Sequence, residues 1–259
     1  MISTKKIFHL ILRLIRFLLT FISPPSCICC KSEVLDYDTL CANCWNDIYF
    51  IWNSHCKYCG EIIEYNSPFY CLCEKQYLMH DKEAFIPFEE LYERREQYTI
   101  ICLTLYTHIV INLMISFKNN AQYFIHILLS KIFLIHREKF EMTSLVVPIP
   151  MHDSAVRRRG YNHTAIMAKN ISTSIKKPYL HNILIKQYNK IQKTLSEKDR
   201  VKNVKSAFTI NRKLLHQIKN EHILLVDDVM TTGATMQQCT SLLLNNGASF
   251  VTILSFAKT

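Results

Sequence analysis

The chain has 259 residues, of which 49% are apolar, 20% charged and 11% aromatic. This composition excludes a disordered or collagen-like chain, and the length suits one or two domains of about 100–200 residues each. The net charge of +10 is unevenly distributed, with 16 Lys and Arg against two acids in residues 157–220 and 13 acids against six Lys and Arg in residues 27–98. The two regions carry opposite fields, so we expect them to meet different partners.

The first feature along the chain is the apolar stretch Ile7–Ile22. It has 16 residues, interrupted by Arg13 and Arg16, whereas a membrane span needs about 20. No small-residue cleavage site of a signal peptide follows it. We predict an amphipathic helix over residues 1–23, which either packs on the rest of the protein or lies on an anionic membrane surface.

Eight of the eleven cysteines fall in four close pairs, namely Cys27/Cys30, Cys41/Cys44, Cys56/Cys59 and Cys71/Cys73. Such spacings indicate metal knuckles in a reducing compartment rather than a disulfide framework. Because four pairs can supply four thiolates to each of two Zn²⁺ ions, we predict a double zinc ribbon over residues 24–80.

The pairing within this ribbon has two possible arrangements. We favour the first two pairs as one site and the last two as the other, with an interleaved pairing as the alternative. The last pair is one residue shorter than the others, so the expected number of structural zinc ions is one or two. The region is acidic and poor in apolar residues, so we expect zinc to supply folding free energy and the module to be structural or protein-docking rather than DNA-binding.

After an acidic, linker-like segment at Phe85–Gln97, apolar strands alternate with helical patterns. Strands are predicted at Tyr98–Tyr106, Leu145–Pro150, Ala207–Ile210, His222–Asp227 and Phe250–Phe256. Helices are predicted at Ile109–Asn119, Ala121–Phe133, Asn162–Ile175 and Thr235–Asn245. This alternation predicts an α/β domain over residues 95–259, with a mainly parallel sheet and flanking helices.

The most specific stretch is ILLVDDVMTTGAT, residues 223–235. An apolar strand delivers Asp227 and Asp228, and a turn rich in small and hydroxyl side chains then opens a helix. Unpaired N–H groups at a helix N-terminus can hold a phosphate, and Gly233 allows close approach of the backbone. Carboxylates would repel phosphate, so the acids suit ribose hydroxyls beside it or a Mg²⁺ ion.

This stretch resembles the phosphoribosyl pyrophosphate (PRPP) loop of type I phosphoribosyltransferases. The resemblance implies that Asp227 and Asp228 are the catalytic residues and contact the ribose hydroxyls, and that Thr231–Thr235 surrounds the 5′-phosphate. The implied PRPP-binding set is Asp227, Asp228, Val229, Met230, Thr231, Thr232, Gly233, Ala234 and Thr235.

A second stretch, VVPIPMHDSAVRRRGYNHTAIMA at residues 146–168, resembles the signature VPVPL-H-x5-R-x-R-G-[FY]-N-Q of the ComF (competence protein F) family. Residues 192–208 resemble that family's Q-x-x-L-[ST]…R-x-x-N-x-x-[AG]-F stretch, and Lys118 lies where the family has a Lys after its first helix. His163 stands where the family usually has Gln, and Asn189 where it usually has Thr. The N-terminal double zinc ribbon is also common in this family.

The arginine run Arg157–Arg159 directly follows a predicted strand, and ligands of open α/β sheets bind beyond the carboxyl ends of strands. Taken alone, such a run is more often a solvated face than a site. Within the family pattern, Arg157, Arg159 and Gly160 are the candidates for the pyrophosphate side, because Arg can meet phosphate oxygens bidentately. Arg158 falls outside the pattern. His163 is expected to be structural.

The resemblance implies a cytoplasmic phosphoribosyltransferase that binds PRPP with Mg²⁺, transfers ribose 5-phosphate to an unidentified acceptor and is linked to DNA uptake in natural transformation. Helicase and translocation proteins of the competence machinery are the implied partners, with the inner membrane as a possible peripheral location. The alternative is a non-catalytic single-stranded DNA-binding factor. The basic segment Arg157–Asn220 would then track the phosphates.

Overall fold

The computed structural model describes residues 24–37, 39–51, 55–63, 89–119, 137–187 and 207–259. The predicted helices over 1–23 and Ala121–Phe133 lie outside this part of the chain, as do Cys71 and Cys73. Contacts divide the chain into two compact units, Met1–Ile48 and Tyr49–Thr259. This division falls inside the cysteine region, so the predicted limits 24–80 and 95–259 stay predictions.

The first unit contains a cysteine hairpin and one short helix. Ser26 and Glu33 form an antiparallel bridge that closes the turn carrying Cys27 and Cys30. Helix α1 (Ala42–Asn46) begins directly after Cys41, whose thiol accepts a hydrogen bond from the Cys44 amide at 3.4 Å. The helix start is therefore capped by a sulfur rather than by the usual side-chain oxygen.

The second unit is built on a four-stranded parallel sheet in the order β1-β6-β5-β2. The strands are β1 (Tyr98–Leu105), β2 (Leu145–Pro148), β5 (His222–Met230) and β6 (Phe250–Lys258). A separate antiparallel pair joins β3 (Leu184–Lys186) and β4 (Phe208–Ile210). The strands of the large sheet are buried almost throughout, which explains their continuous apolar sequences and confirms the predicted parallel sheet.

Helices α2 (His108–Asn119), α3 (Asp153–Arg159), α4 (His163–Ile175) and α5 (Ala234–Asn245) belong to this unit. Short 3₁₀ segments occur at Glu89–Gln97, Arg137–Phe140 and Arg212–Gln217. Asn162 caps α4 by accepting a hydrogen bond from the Ala165 amide at 3.0 Å. None of the helices in the described ranges combines the length and apolar character required to cross a membrane.

The two faces of β5 lie against different helices. Ile223 and Leu225 pack in one buried cluster with Met236 and Leu243 of α5. Side chains alternate along a strand, so the even-numbered residues point to the opposite face, where Asp228 contacts α4. Strand β5 therefore delivers its two acids to opposite sides of the sheet.

Some predicted boundaries were wrong. Strand β5 continues past Asp227 because its pairing with β6 extends as far as Met230 and Lys258. The prediction at Leu145–Pro150 ran too long, since β2 ends at Pro148. Residues 89–97 of the acidic, linker-like segment form a 3₁₀ segment.

Candidate functional site

Strand β5 ends in the turn predicted to hold a phosphate. Thr231 and Thr232 are exposed, and Gly233 adopts a left-handed conformation with φ of 75° immediately before α5 begins at Ala234. The Gln237 amide makes the first helical hydrogen bond, to the Gly233 carbonyl at 2.9 Å. The helix start thus presents early N–H groups and two exposed hydroxyls, an arrangement suited to a phosphate.

Asp228 is the most constrained residue of the site. Its Oδ2 atom accepts from Lys118 Nζ at 2.7 Å and from His163 Nε2 at 3.0 Å, and its Oδ1 accepts from the Val229 amide at 2.8 Å. Burial alone would raise the pKa of Asp228, but the His163 hydrogen bond and the Lys118 charge hold it well below its usual range. Asp228 is therefore ionised at neutral pH.

The pKa of Asp227 is shifted in the opposite direction. Burial, reinforced by the negative charge of Asp228, raises the pKa of Asp227 well above its usual range, although one oxygen accepts a hydrogen bond from the Asp228 amide at 2.9 Å. Two adjacent carboxyls with pKa values driven apart are a common feature of functional sites. A nearby cation such as Mg²⁺ would favour ionisation of Asp227, whereas Asp228 is already paired with Lys118.

His163 and Lys118 reach the site from two different helices. The side chain of His163, on the first turn of α4, is 5% exposed, whereas that of Lys118, at the end of α2, is 27% exposed. Tyr161 donates to the Phe117 carbonyl at 2.6 Å, and the Phe117 ring meets the His163 ring edge-on at 5.5 Å between centroids. The Tyr161–Asn162 segment of the signature thus connects α2 to the start of α4.

The arginine run forms the last turn of α3, a helix that the sequence analysis did not predict. His152 caps its start, and Gly160 ends it in the left-handed conformation with φ of 80°. Arg157 and Arg158 are exposed, whereas Arg159 turns inward to within 3.4 Å of His163 Nδ1. Of the two predicted pyrophosphate-side arginines, the structure brings Arg159 to His163, which contacts Asp228, and leaves Arg157 on the surface.

Sequence reasoning overlooked the roles of two residues that contact Asp228. Lys118 was recognised only by its position in the family pattern, and His163 was expected to be structural. The available signal was the departure from Gln at residue 163 inside an otherwise matching signature. A change between two side chains that can each donate and accept hydrogen bonds indicates a position facing polar partners.

The first cysteine site has the geometry of a zinc centre. The sulfur atoms of Cys27, Cys30, Cys41 and Cys44 all lie within 4.8 Å of one another, with Cys30 and Cys41 separated by 3.6 Å. A tetrahedral Zn²⁺ with Zn–S bonds of about 2.3 Å would separate its sulfurs by about 3.8 Å. Hydrogen bonding from Ser32 lowers the pKa of the Cys30 thiol to about 6, whereas burial and the neighbouring thiols raise the pKa of Cys44 well above its usual range. This grouping is the sequential pairing rather than the interleaved one.

The second knuckle, defined as Cys56–Gly60, repeats the backbone of the first. In the first knuckle, Cys27 N donates to Ser32 O at 2.7 Å and Lys31 N to Cys27 O at 3.0 Å. The second has the same two bonds, from Cys56 to Glu61 at 2.7 Å and from Gly60 to Cys56 at 2.8 Å. Lys31 and Gly60, which follow the second cysteine of each pair, share a left-handed φ of 66° and 73°. Cys56 and Cys59 therefore have the shape of a zinc knuckle, although Cys71 and Cys73 lie outside the described residues.

Comparison with known proteins identifies both parts of the chain. The double zinc ribbon domain matches residues 18–75, and the phosphoribosyl transferase domain matches residues 149–258. Competence protein F of Haemophilus influenzae is 26% identical over 244 residues, which cover 90% of this chain and 96% of that protein. The chain is a homologue of competence protein F. The resemblance carried by its sequence motifs is confirmed, and so is the predicted phosphoribosyltransferase fold with an N-terminal zinc-ribbon module.

Two further similarities cover less of the chain. The DNA utilization protein YhgH of Escherichia coli is 27% identical over 120 residues, which are 46% of this chain and about half (51%) of that protein. The solved structure of glutamine PRPP amidotransferase from B. subtilis overlaps 54% of the chain and 30% of its own, with 14% identity and a TM-score of 0.36. The fold assignment rests on the domain match and on the parallel sheet described above.

Proposed function

We propose that this chain binds PRPP together with Mg²⁺ at the end of β5 and transfers ribose 5-phosphate to an acceptor. The observation that carries the proposal is the acid pair at the end of β5, with Asp228 held by Lys118 and His163, directly ahead of the Thr231–Thr235 turn. PRPP carries a negative 5′-phosphate next to neutral ribose hydroxyls. The helix start would bind the phosphate, and the acids would bind the hydroxyls.

Each group would have a distinct task. The amides and hydroxyls of Thr231–Thr235 would hold the 5′-phosphate, and Asp227 and Asp228 would accept hydrogen bonds from the ribose hydroxyls. Arg159 lies near enough to the pair to meet the pyrophosphate, and bound Mg²⁺ would neutralise the charge of that leaving group. The transition state has oxocarbenium character, so catalysis would consist mainly of positioning and electrostatic stabilisation.

Calorimetric titration with PRPP, with Mg²⁺ and then with EDTA, tests this function. We expect saturable binding in Mg²⁺ that weakens at least tenfold in EDTA, and weaker binding of ATP because the chain has no G-x-x-x-x-G-K-[ST] loop. Pyrophosphate release in the presence of candidate acceptors then tests the transfer step. An affinity for ATP equal to that for PRPP, or no binding of either ligand, would contradict the proposal.

We further propose that the cysteine region holds two structural zinc ions, one in the Cys27, Cys30, Cys41 and Cys44 site and one in a site completed by Cys56, Cys59, Cys71 and Cys73. The support is the sulfur geometry of the first site and the matching backbone of the second knuckle. The four clustered thiols of Cys27, Cys30, Cys41 and Cys44 suit zinc binding in a reducing, cytoplasmic location.

A second candidate function is binding of single-stranded DNA, alone or as part of the competence machinery. It is favoured by the names of the relatives, a competence protein and a DNA utilization protein, and by the basic segment Arg157–Asn220. Within the described part of that segment, Lys186 is exposed on β3 with its Nζ atom 5.2 Å from the Phe208 ring centroid. The Phe208 ring is itself buried, so the support from this residue pair is the exposed charge of Lys186, which could contact a phosphate.

A further inference from the structure

A continuous polar contact links the pyrophosphate-side arginine to the ribose-side acid. Arg159 Nη1 lies 3.4 Å from His163 Nδ1, and His163 Nε2 lies 3.0 Å from Asp228 Oδ2. These three residues come from the end of α3, the first turn of α4 and the end of β5. A buried imidazole thus stands between the two groups proposed to meet the two halves of PRPP.

The chemistry of the partners fixes the tautomer of His163. A guanidinium has N–H donors and no acceptor, so Nδ1 must accept in the contact with Arg159. The proton of a neutral imidazole then lies on Nε2, which donates it to the carboxylate of Asp228. The imidazole therefore accepts a hydrogen bond from Arg159 at Nδ1 and donates one to Asp228 at Nε2. Each of these contacts fixes the ring orientation on which the other contact depends.

We propose that His163 is a positioning residue that couples the pyrophosphate side of the site to the ribose side. This inference rests on the proposed PRPP site. When pyrophosphate fixes the Arg159 guanidinium, the imidazole is held against Asp228, and the acid is already oriented when the ribose arrives. Binding of pyrophosphate therefore lowers the free-energy cost of ordering the ribose subsite. This appears as positive coupling between the two subsites.

Lys118 cannot provide this coupling, although it contacts the same Oδ2 atom of Asp228. Its side chain is about five times more exposed than that of His163, at 27% against 5%, and it is free to turn toward an arriving phosphate. His163 is also held by the edge-on Phe117 ring. The histidine is therefore the fixed partner of Asp228, and the lysine is the exchangeable one.

Glutamine at position 163 could make the same two contacts. Its carbonyl oxygen can accept from a guanidinium while its amide nitrogen donates to a carboxylate, which is the order found in the neutral imidazole. Leucine can fill the space but can neither donate nor accept. His163→Gln and His163→Leu therefore separate the hydrogen-bonding role of residue 163 from its packing role.

The experiment measures the Kd of ribose 5-phosphate in Mg²⁺ by calorimetry, without and with saturating inorganic pyrophosphate. The ratio of the two values is the coupling factor, and repulsion between the two anions cancels when variants are compared. We expect the factor of His163→Leu to be at least about fivefold below that of the wild type, within the usual range of coupling energies. His163→Gln should remain within about twofold of the wild type, and exchanging the two probes should return the same factor, because coupling is reciprocal.

Thermal unfolding of each variant checks folding, and His163→Asn, whose shorter amide cannot span both partners, replaces His163→Leu if that variant does not fold. An unchanged coupling factor in His163→Leu, or an equal loss in His163→Gln, would overturn the role of His163 while PRPP binding by the wild type persisted. Absence of PRPP binding by the wild type would instead overturn the proposed function and this inference with it.

Discussion

Met230 packs so closely against Gly60 that a Cβ atom on residue 60 would lie 2.9 Å from both the Sδ and the Cε atom of Met230. Met230 is the last residue of β5, and the proposed phosphate turn begins at the next residue. The second knuckle is also joined to the sheet by the Ile100 amide, which donates to Lys57 O at 2.7 Å. The second knuckle thus supports the strand end from which the phosphate turn departs.

Gly60→Ala should destabilise the protein more than Gly160→Ala does. Both glycines have a left-handed backbone, with φ of 73° and 80°, so either alanine costs about 1–2 kcal/mol in backbone strain. A Cβ at residue 160 would meet no described atom within 4 Å, whereas one at residue 60 must displace the buried, flexible end of Met230, at a further cost of about 1 kcal/mol. Thermal unfolding of the two variants checks this, with about 2–4 °C expected for each kcal/mol. Equal melting temperatures would mean that Met230 moves aside without cost.

Asp227→Asn should stabilise the folded protein at neutral pH. Since its pKa is raised in the folded state, Asp227 binds a proton that the unfolded chain has already lost, so wild-type stability falls as pH rises from about 4 toward the folded pKa. Asparagine resembles the protonated acid and removes this loss. The advantage of the variant should therefore vanish below about pH 4, where both states are protonated, and grow with increasing pH. Melting temperatures measured from pH 3.5 to 8 check this, and a pH-independent difference would contradict the shifted carboxyl.

Asp228→Asn should have the opposite effect on stability. The pKa of Asp228 is lowered in the folded state, so its contribution is present above the unfolded pKa near 4 and is lost as pH falls through the folded value. Removing the charge leaves Lys118 without its ionic partner, and breaking such a partly buried pair costs about 3–5 kcal/mol at the upper limit. The same pH series measures this, with Glu141→Gln, an exposed acid, as the control.

Metal analysis should find about two zinc ions per chain. Cys30→Ser and Cys59→Ser should each remove about one, because each takes a thiolate from a different site, while Cys29→Ser should leave the count unchanged since Cys29 is outside the four-sulfur group. A wild-type count near one, unaffected by Cys71→Ser, would mean that the Cys71/Cys73 pair is not a ligand. Chelation should expose the N-terminal third to protease before the rest of the chain.

Any binding of single-stranded DNA should depend on the basic segment and on salt. Replacing Lys190, Lys193 and Lys202 by alanine removes three of its positive charges. The slope of log K against log salt concentration is negative, and the loss of up to about three phosphate contacts should make it less negative. For a single strand the expected change in slope is roughly 2. Alanine at Lys75, Lys82 and Lys139 changes the net charge equally outside the segment and serves as the control. DNA binding that is kept in the first variant but lost when residues 27–80 are deleted would assign the contacts to the cysteine module instead.

The sequence predicted the sheet because its strands are buried on both faces and therefore apolar without interruption, as in residues 223–226. It predicted the phosphate turn because Gly233 and the hydroxyl residues are local to one strand and one helix. These features depend on neighbours along the chain, so a linear pattern can carry them.

The partners of Asp228 could not be predicted in this way. Lys118 and His163 are 110 and 65 residues distant from it in sequence and contact it only in the folded protein. Helix α3 was missed because its cap is a histidine, His152, rather than one of the usual capping residues. The contact of Gly60 with Met230 likewise joins two segments that no periodicity relates.

The central claim is that the acid pair at the end of β5 binds the ribose of PRPP when PRPP is complexed with Mg²⁺. Calorimetric titration of the double variant Asp227→Asn, Asp228→Asn with PRPP in Mg²⁺ tests it most directly, beside the Glu141→Gln control and with thermal unfolding to verify that both proteins are folded. We expect the control to bind as the wild type does and the double variant to lose Mg²⁺-dependent binding altogether, because neutral amides cannot form the charge-assisted hydrogen bonds that carboxylates would give the ribose hydroxyls. Undiminished, Mg²⁺-dependent affinity in the folded double variant would contradict the account.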